Sequence, residues 1–236
     1  MKYKGIIFDL DDTVWDFQAN SQVALKGVWS QISKIGNLKS KSYNDFLKIY
    51  HIINVNLWSE YRKGLRDSKN INKDRFTLTA KEMGVKLSNK QQIEIANLFL
   101  KLLYRGQILM PHALSVLEYL KQKYKIGLIT NGFANGLSRL ESCKIEHFFD
   151  SVICSEIYGK PKPDTGIFLH AVEKLKGKPH EFIYVGDNYE GDVLGAKNAG
   201  LDAIYLDLHN FDYSGFQIQP NYVIKSLVEL KSIFRY

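Results

Sequence analysis

Acids, a hydroxyl and a lysine recur in this chain at spacings that chemistry could use. Asp9, Asp11 and Asp12 follow directly on the apolar run Ile6, Ile7 and Phe8. Thr130, Asn131 and Gly132 close a second apolar run, Lys160 and Lys162 lie within GKPKPD, and Asp187 follows Gly186, with Asp192 a short step beyond. Carboxylates crowded at one strand end repel one another, and a hard, oxygen-seeking cation would relieve that field. The competing structural reading is a polar loop that opens a helix at Asp12 and Thr13. Asp9 and Asp11, two apart, share a side if extended backbone runs through both.

In the metal reading, Asp9 gives the cation one oxygen and keeps the other for attack on phosphorus. Asp11, Asp187 and Asp192 complete the candidate ligand set, with Asp192 either a ligand or the group that orients water and Lys162. All candidate donors are oxygens, which favours Mg²⁺ over softer metals. Thr130 and the backbone N–H groups of Asn131 and Gly132, where a helix would open, are candidates for holding phosphate oxygens. Lys162 would neutralise charge shared by nucleophile and phosphate.

Such residues converge only if the elements that carry them end on one edge. The runs at 6–8, 125–130, 151–154, 182–187 and 202–206 read as strands buried on both faces, with 222–224 as an edge pairing. Helical patterns at 111–123, 132–143, 164–176, 190–199 and 225–234 alternate with them. This rhythm predicts an α/β, Rossmann-like doubly wound parallel sheet, in which ligands bind beyond the carboxyl ends of the strands. Residues 17–105 break it with long helical patterns and no convincing strand. The predicted organisation is therefore a catalytic core of 1–16 and 106–236 with an all-α cap domain inserted at 17–105.

Composition narrows the class. The 236 residues are 45% hydrophobic and 24% charged, ordinary for a soluble globular protein, and no apolar stretch approaches a membrane span or a signal peptide, so a cytoplasmic location is expected. The net charge of +7 comes from scattered lysines and arginines with no dense basic tract, which argues against a nucleic-acid polymer as partner. Cys143 and Cys154 lack metal-ligand spacing and read as reduced structural residues, and the scattered histidines show no zinc spacing.

Together, FDLDDT, ITNG, KPDTGIF and GDNYEGD resemble, in order, the motif set of the haloacid dehalogenase-like hydrolase superfamily. The resemblance implies a two-step phosphatase mechanism. Asp9 would form an aspartyl-phosphate, and Asp11 would protonate the leaving oxygen and then deprotonate water. Lys162 rather than Lys160 fits the family pattern, while Thr165 stands where the family usually has proline. Members that attack carbon need neither metal nor the second acid, so Asp11 and Asp187 argue for phosphate chemistry.

LWSEYRKG at 57–64, ITNGF, SRLESCKI and NYVIKSLVEL further resemble the noncanonical pyrimidine 5'-nucleotidase group. That likeness implies a nucleoside 5'-monophosphate, a small phosphorylated metabolite, as substrate. Trp58, Tyr61, Arg62 or Phe133 would contact the nucleoside, although Trp58 and Tyr61, three apart on a predicted helix, equally suit a core. A phosphosugar phosphatase or mutase would share all four core motifs. A receiver domain would be shorter and lack the insert, and a nucleic-acid binder would need a basic stripe.

Overall fold

A computed structural model of the chain describes residues 2–210, 212–213 and 215–235, with the backbone alone at Ser68. The chain divides into two compact units, one of residues 1–17 and 107–236 and the other of residues 18–106.

The first unit is built on a six-stranded sheet. Its strands are β1 (Gly5–Phe8), β2 (Lys125–Thr130), β3 (Ser151–Cys154), β4 (Phe182–Gly186), β5 (Asp202–Leu206) and β6 (Tyr222–Ile224). They lie in the order β3-β2-β1-β4-β5-β6 and every neighbouring pair runs parallel. Successive connections leave β1 toward β2 and β3, then return to β4 on the other side. This reversal opens a crevice at the carboxyl ends of β1 and β4, the position where doubly wound sheets bind ligands. β1 and β4 are buried along their whole lengths, which explains their unbroken apolar sequences. Alternate side chains serve opposite faces, so Ile7, Ile129 and Tyr184 pack with Ile167, Phe168, Ala171 and Val172 of one flanking helix (Thr165–Lys174) in a single core cluster. Asp164 caps that helix by accepting a bond from the Gly166 N–H at 3.0 Å.

Two predicted helices form differently. The 132–143 pattern begins as a 3₁₀ turn at Ala134–Leu137 and is α-helical over Ser138–Ser142. Phe133 is extended, and the Ala134 N–H is taken by Glu156 Oε2 at 2.9 Å, so no α-helix opens at Asn131 and Gly132. The 190–199 pattern is a π-helical turn at Tyr189–Leu194 followed by an α-helical turn at Gly195–Asn198. Such wide turns are frequent at functional sites.

The second unit is helical, with segments at Phe17–Ile35, Tyr43–Arg62, Ser68–Glu82 and Asn89–Leu103, the first of which starts one residue before the unit boundary. Their starts are written locally. Ser42 with Asp45 and Ser88 with Gln91 form reciprocal capping boxes, and Asp67 caps the third helix. Phe46, Tyr50, Phe76 and Phe99 are buried in a stack of aromatic rings, with Tyr50 and Phe76 5.5 Å apart at 10°. Among the described residues no helix is long and apolar enough to cross a membrane.

Candidate active site

β1 delivers Asp9 to the crevice. The Asp9 N–H donates to the Val185 carbonyl at 2.9 Å, so the residue still belongs to the ladder with β4, and it is only 7% exposed. The chain then curls instead of continuing extended. The N–H groups of Val14 and Trp15 both donate to the Leu10 carbonyl, and Asp12 takes a left-handed conformation with φ of 58°. This tight turn replaces the helix start considered at Asp12 and Thr13.

Three carboxylates gather there. Asp9, Asp187 and Asp192 each offer an oxygen, and these oxygens lie within 4.8 Å of one another. Asp11 stands outside the cluster. Its Oδ1 accepts a bond from Arg139 Nη1 at 2.5 Å, so the structure does not bring the carboxylate predicted as a fourth metal ligand to the other three. Asp187 follows β4, where its Oδ1 accepts from the Thr13 hydroxyl at 3.3 Å. The π-helical turn carries Asp192 back over Gly186, whose missing Cβ leaves the space that the Asp192 carboxyl occupies.

Lys162 ties the cluster together. Its Nζ lies 2.5 Å from Asp9 Oδ1 and 2.6 Å from Asp192 Oδ1, and it donates to the Tyr184 hydroxyl at 2.9 Å. The other Asp192 oxygen accepts from the Asn188 N–H at 3.0 Å. Lys160 turns outward, with its side chain 68% exposed and paired with Asp164 at 3.3 Å. The peptide bond between Lys162 and Pro163 is cis.

Burial sets the electrostatics. It pushes Asp9 up to about 7, with Lys162 pulling down and Asp192 pushing further up. Asp187 is raised well above the ordinary carboxylate range, first by burial and then by Asp9 and Asp192. Burial alone would lower the Lys162 ammonium, but Asp192 and Asp9 outweigh it and the net shift is upward. One ammonium does not neutralise three acids. The arrangement suits a divalent cation: three convergent oxygens, no nitrogen or sulfur among the donors, and Asp9 and Asp187 held above the ordinary carboxylate range by burial and by repulsion from neighbouring acids.

Thr130 ends β2 and is buried. The Asn131 side chain is directed at the backbone of Lys162, donating to its carbonyl at 2.9 Å and accepting from its N–H at 2.7 Å. The Gly132 carbonyl accepts from the Cys154 thiol at 3.1 Å. Trp58 and Arg62 lie on the Tyr43–Arg62 helix of the helical unit. Trp58 meets Tyr61 edge to face at 5.7 Å, and Arg62 buries an Nε that has no hydrogen-bond partner among the described residues.

Three participants escaped the sequence reading. Tyr184 sits in a fully buried strand, where a phenol needs a partner, and that need was a usable signal. Thr13 and Arg139 gave none. An arginine in the short segment SRLES reads as solvated, yet Arg139 is 4% exposed.

Comparison with known proteins agrees with this geometry. A family model described as haloacid dehalogenase-like hydrolase matches residues 3–200. The chain is 30% identical to the pyrimidine 5'-nucleotidase YjjG of Escherichia coli over 99% of its own length and 98% of that protein. It is 28% identical to the glyceraldehyde 3-phosphate phosphatase of Methanothermobacter thermautotrophicus, covering 98% of this chain and 99% of that one. Among solved structures, the HAD-hydrolase YfnB from Bacillus subtilis bound to magnesium superposes with a TM-score of 0.87 at 26% identity, covering 100% of both chains.

Proposed function

The chain belongs to the haloacid dehalogenase-like hydrolase family, and from that premise we propose that it is a Mg²⁺-dependent phosphomonoester hydrolase that acts through an aspartyl-phosphate, with nucleoside 5'-monophosphates as substrates. The observation that carries this reading is the Lys162 ammonium set between Asp9 Oδ1 at 2.5 Å and Asp192 Oδ1 at 2.6 Å, beside Asp187. Asp9, Asp187 and Asp192 would hold the cation. When bound, it would offset the negative charge of phosphate and acids together and so favour approach of one anion to another.

The chain's own residues account for the remaining work. Asp9 attacks phosphorus and becomes the acyl phosphate. Lys162 fixes one Asp9 oxygen, which leaves the other as the nucleophile. Asp11 gives a proton to the departing alkoxide and then takes one from the water that cleaves the intermediate. Thr130 and the neighbouring backbone hold the phosphate, and Asn131 holds the segment that bears Lys162.

Likeness to the Escherichia coli nucleotidase supports a nucleotide substrate. Likeness to the glyceraldehyde 3-phosphate phosphatase supports the second reading, a phosphosugar phosphatase on the same scaffold. A panel of purine and pyrimidine 5'-monophosphates and sugar phosphates, assayed with Mg²⁺ for released phosphate, separates them. Preference for sugar phosphates would replace the nucleotide reading, and no release from any ester would end the phosphatase reading.

A further inference from the structure

We infer that Arg139 is a positioning residue for Asp11, the device that fixes which oxygen of that carboxyl meets the leaving group; the inference rests on the phosphatase reading above. Arg139 is 4% exposed, and its planar guanidinium engages the Asp11 turn on two sides. At its edge, Nη1 donates to Asp11 Oδ1 at 2.5 Å while Nη2 reaches Oδ2 only at 3.5 Å. On its face, the guanidinium carbon stands 4.3 Å from the ring centroid of the fully buried Trp15. Nε donates to the Gly136 carbonyl at 2.8 Å, which anchors the side chain to its own turn.

The two surfaces that Arg139 grips belong to one unit of backbone. Asp11 and Trp15 are bridged to each other, Trp15 is bridged in turn to Leu109, and the Asp12 N–H donates to the Trp15 carbonyl at 2.8 Å. Trp15 is therefore a fixed wall, and a planar cation stacked on it has little freedom to tilt. The contact to Asp11 is unequal. Oδ1 is committed at 2.5 Å and Oδ2 is held at the limit of hydrogen bonding, so Oδ2 is the oxygen presented to the leaving group. A lysine in place of Arg139 would keep the charge but lose both the fork and the stacking plane.

Leaving-group dependence distinguishes this role from a structural ion pair. A nucleoside 5'-alkoxide needs a proton in order to leave, whereas p-nitrophenolate leaves without one. Arg139→Lys and Arg139→Met would be assayed for kcat/KM, which reports steps through formation of the phospho-enzyme, on a nucleoside 5'-monophosphate and on p-nitrophenyl phosphate. The alkyl-to-aryl ratio is expected to fall by about 30-fold or more in Arg139→Met, part of the roughly 10²–10⁴-fold that proton transfer contributes when intact, and by less in Arg139→Lys. Guanidinium ion added to Arg139→Met should raise the ratio again. If Arg139→Met does not fold, Arg139→Lys carries the test. Equal losses on both esters, or an unchanged ratio, would overturn the assignment. Wild-type protein that releases phosphate from neither ester would remove the phosphatase reading itself, a result distinct from either of these.

Discussion

Asn131 grips Lys162 by its backbone on both sides, accepting from its N–H at 2.7 Å and donating to its carbonyl at 2.9 Å. The residues are 31 apart in sequence, and this amide holds the end of β2 to the segment that carries the buried ammonium. Each bond contributes about 1 kcal/mol, with a further penalty when a buried partner is left unpaired. Asn131→Ala should therefore lower stability by about 2 kcal/mol, read by thermal melting. It should also lower kcat more than it raises KM, because Lys162 Nζ would lose its register against Asp9 while the phosphate contacts remain. A variant that melts earlier but turns over normally would show the amide to be structural alone.

Asp9→Asn separates chemistry from stability. An amide oxygen is a poor nucleophile, so turnover should fall by several orders of magnitude. The same change removes one of the crowded charges that raise Asp187. In chelator at neutral pH the variant should therefore melt no lower than the wild type. Phosphate release that survives the substitution would exclude Asp9 as nucleophile.

Lys162→Met should produce the opposite pattern. It leaves Asp9 and Asp192 buried without their shared cation, and breaking a buried ion pair by removing one partner costs about 3–5 kcal/mol. The loss should be largest at neutral pH and shrink on acidification as Asp9 takes up a proton, measured by denaturant unfolding across pH. Destabilisation independent of pH would mean that lost packing, not unpaired charge, sets the cost.

These contacts mark what the sequence reveals and what it hides. Strand ends were legible because strands buried on both faces have continuous apolar sequences and a parallel sheet aligns their carboxyl ends. Asp9, Thr130, Lys162 and Asp187 could therefore be assigned to one edge before any coordinates. Direction within the edge was not legible. Asp11 is followed at once by a turn in which Asp12 is left-handed, and its partner Arg139 lies 128 residues away in a segment whose pattern suggests a longer helix. The grip of the Asn131 side chain on Lys162 was not legible either, because an amide can satisfy a donor and an acceptor at once, and a single sequence does not say which pair it meets.

Metal and pH should act on stability together. Burial first, and then neighbouring charge, holds Asp9 at about 7 against an ordinary value of 3.8, and raises Asp187 in the same direction. An acid that binds its proton more tightly when folded stabilises the fold below its unfolded pKa, and that contribution is lost as pH rises through the folded value. The metal-free protein should accordingly lose stability between about pH 4 and pH 7. Mg²⁺ binds the deprotonated acids, so the stabilisation on adding it, read as a rise in Tm, should be larger at pH 7.5 than at pH 5, and at 100 times Kd it is worth about 2.7 kcal/mol. Equal increments at both pH values would place the cation away from these carboxyls.

Specificity is the property expected of the helical unit. Trp58 is half-buried and meets Tyr61 at 5.7 Å and 71°, and Arg62 buries an Nε with no hydrogen-bond partner among the described residues, an arrangement that costs about 1–3 kcal/mol unless something pairs it. If Trp58 stacks on the base and Arg62 meets an anionic or carbonyl oxygen of the nucleotide, Trp58→Ala and Arg62→Ala should each lower the ratio of kcat/KM for a nucleoside 5'-monophosphate to that for p-nitrophenyl phosphate by about tenfold, equivalent to about 1.4 kcal/mol of selective binding. The loss should appear mainly in KM. Equal falls on both esters, accompanied by a lower Tm, would assign the pair to the packing of the helical unit and leave base recognition to other residues.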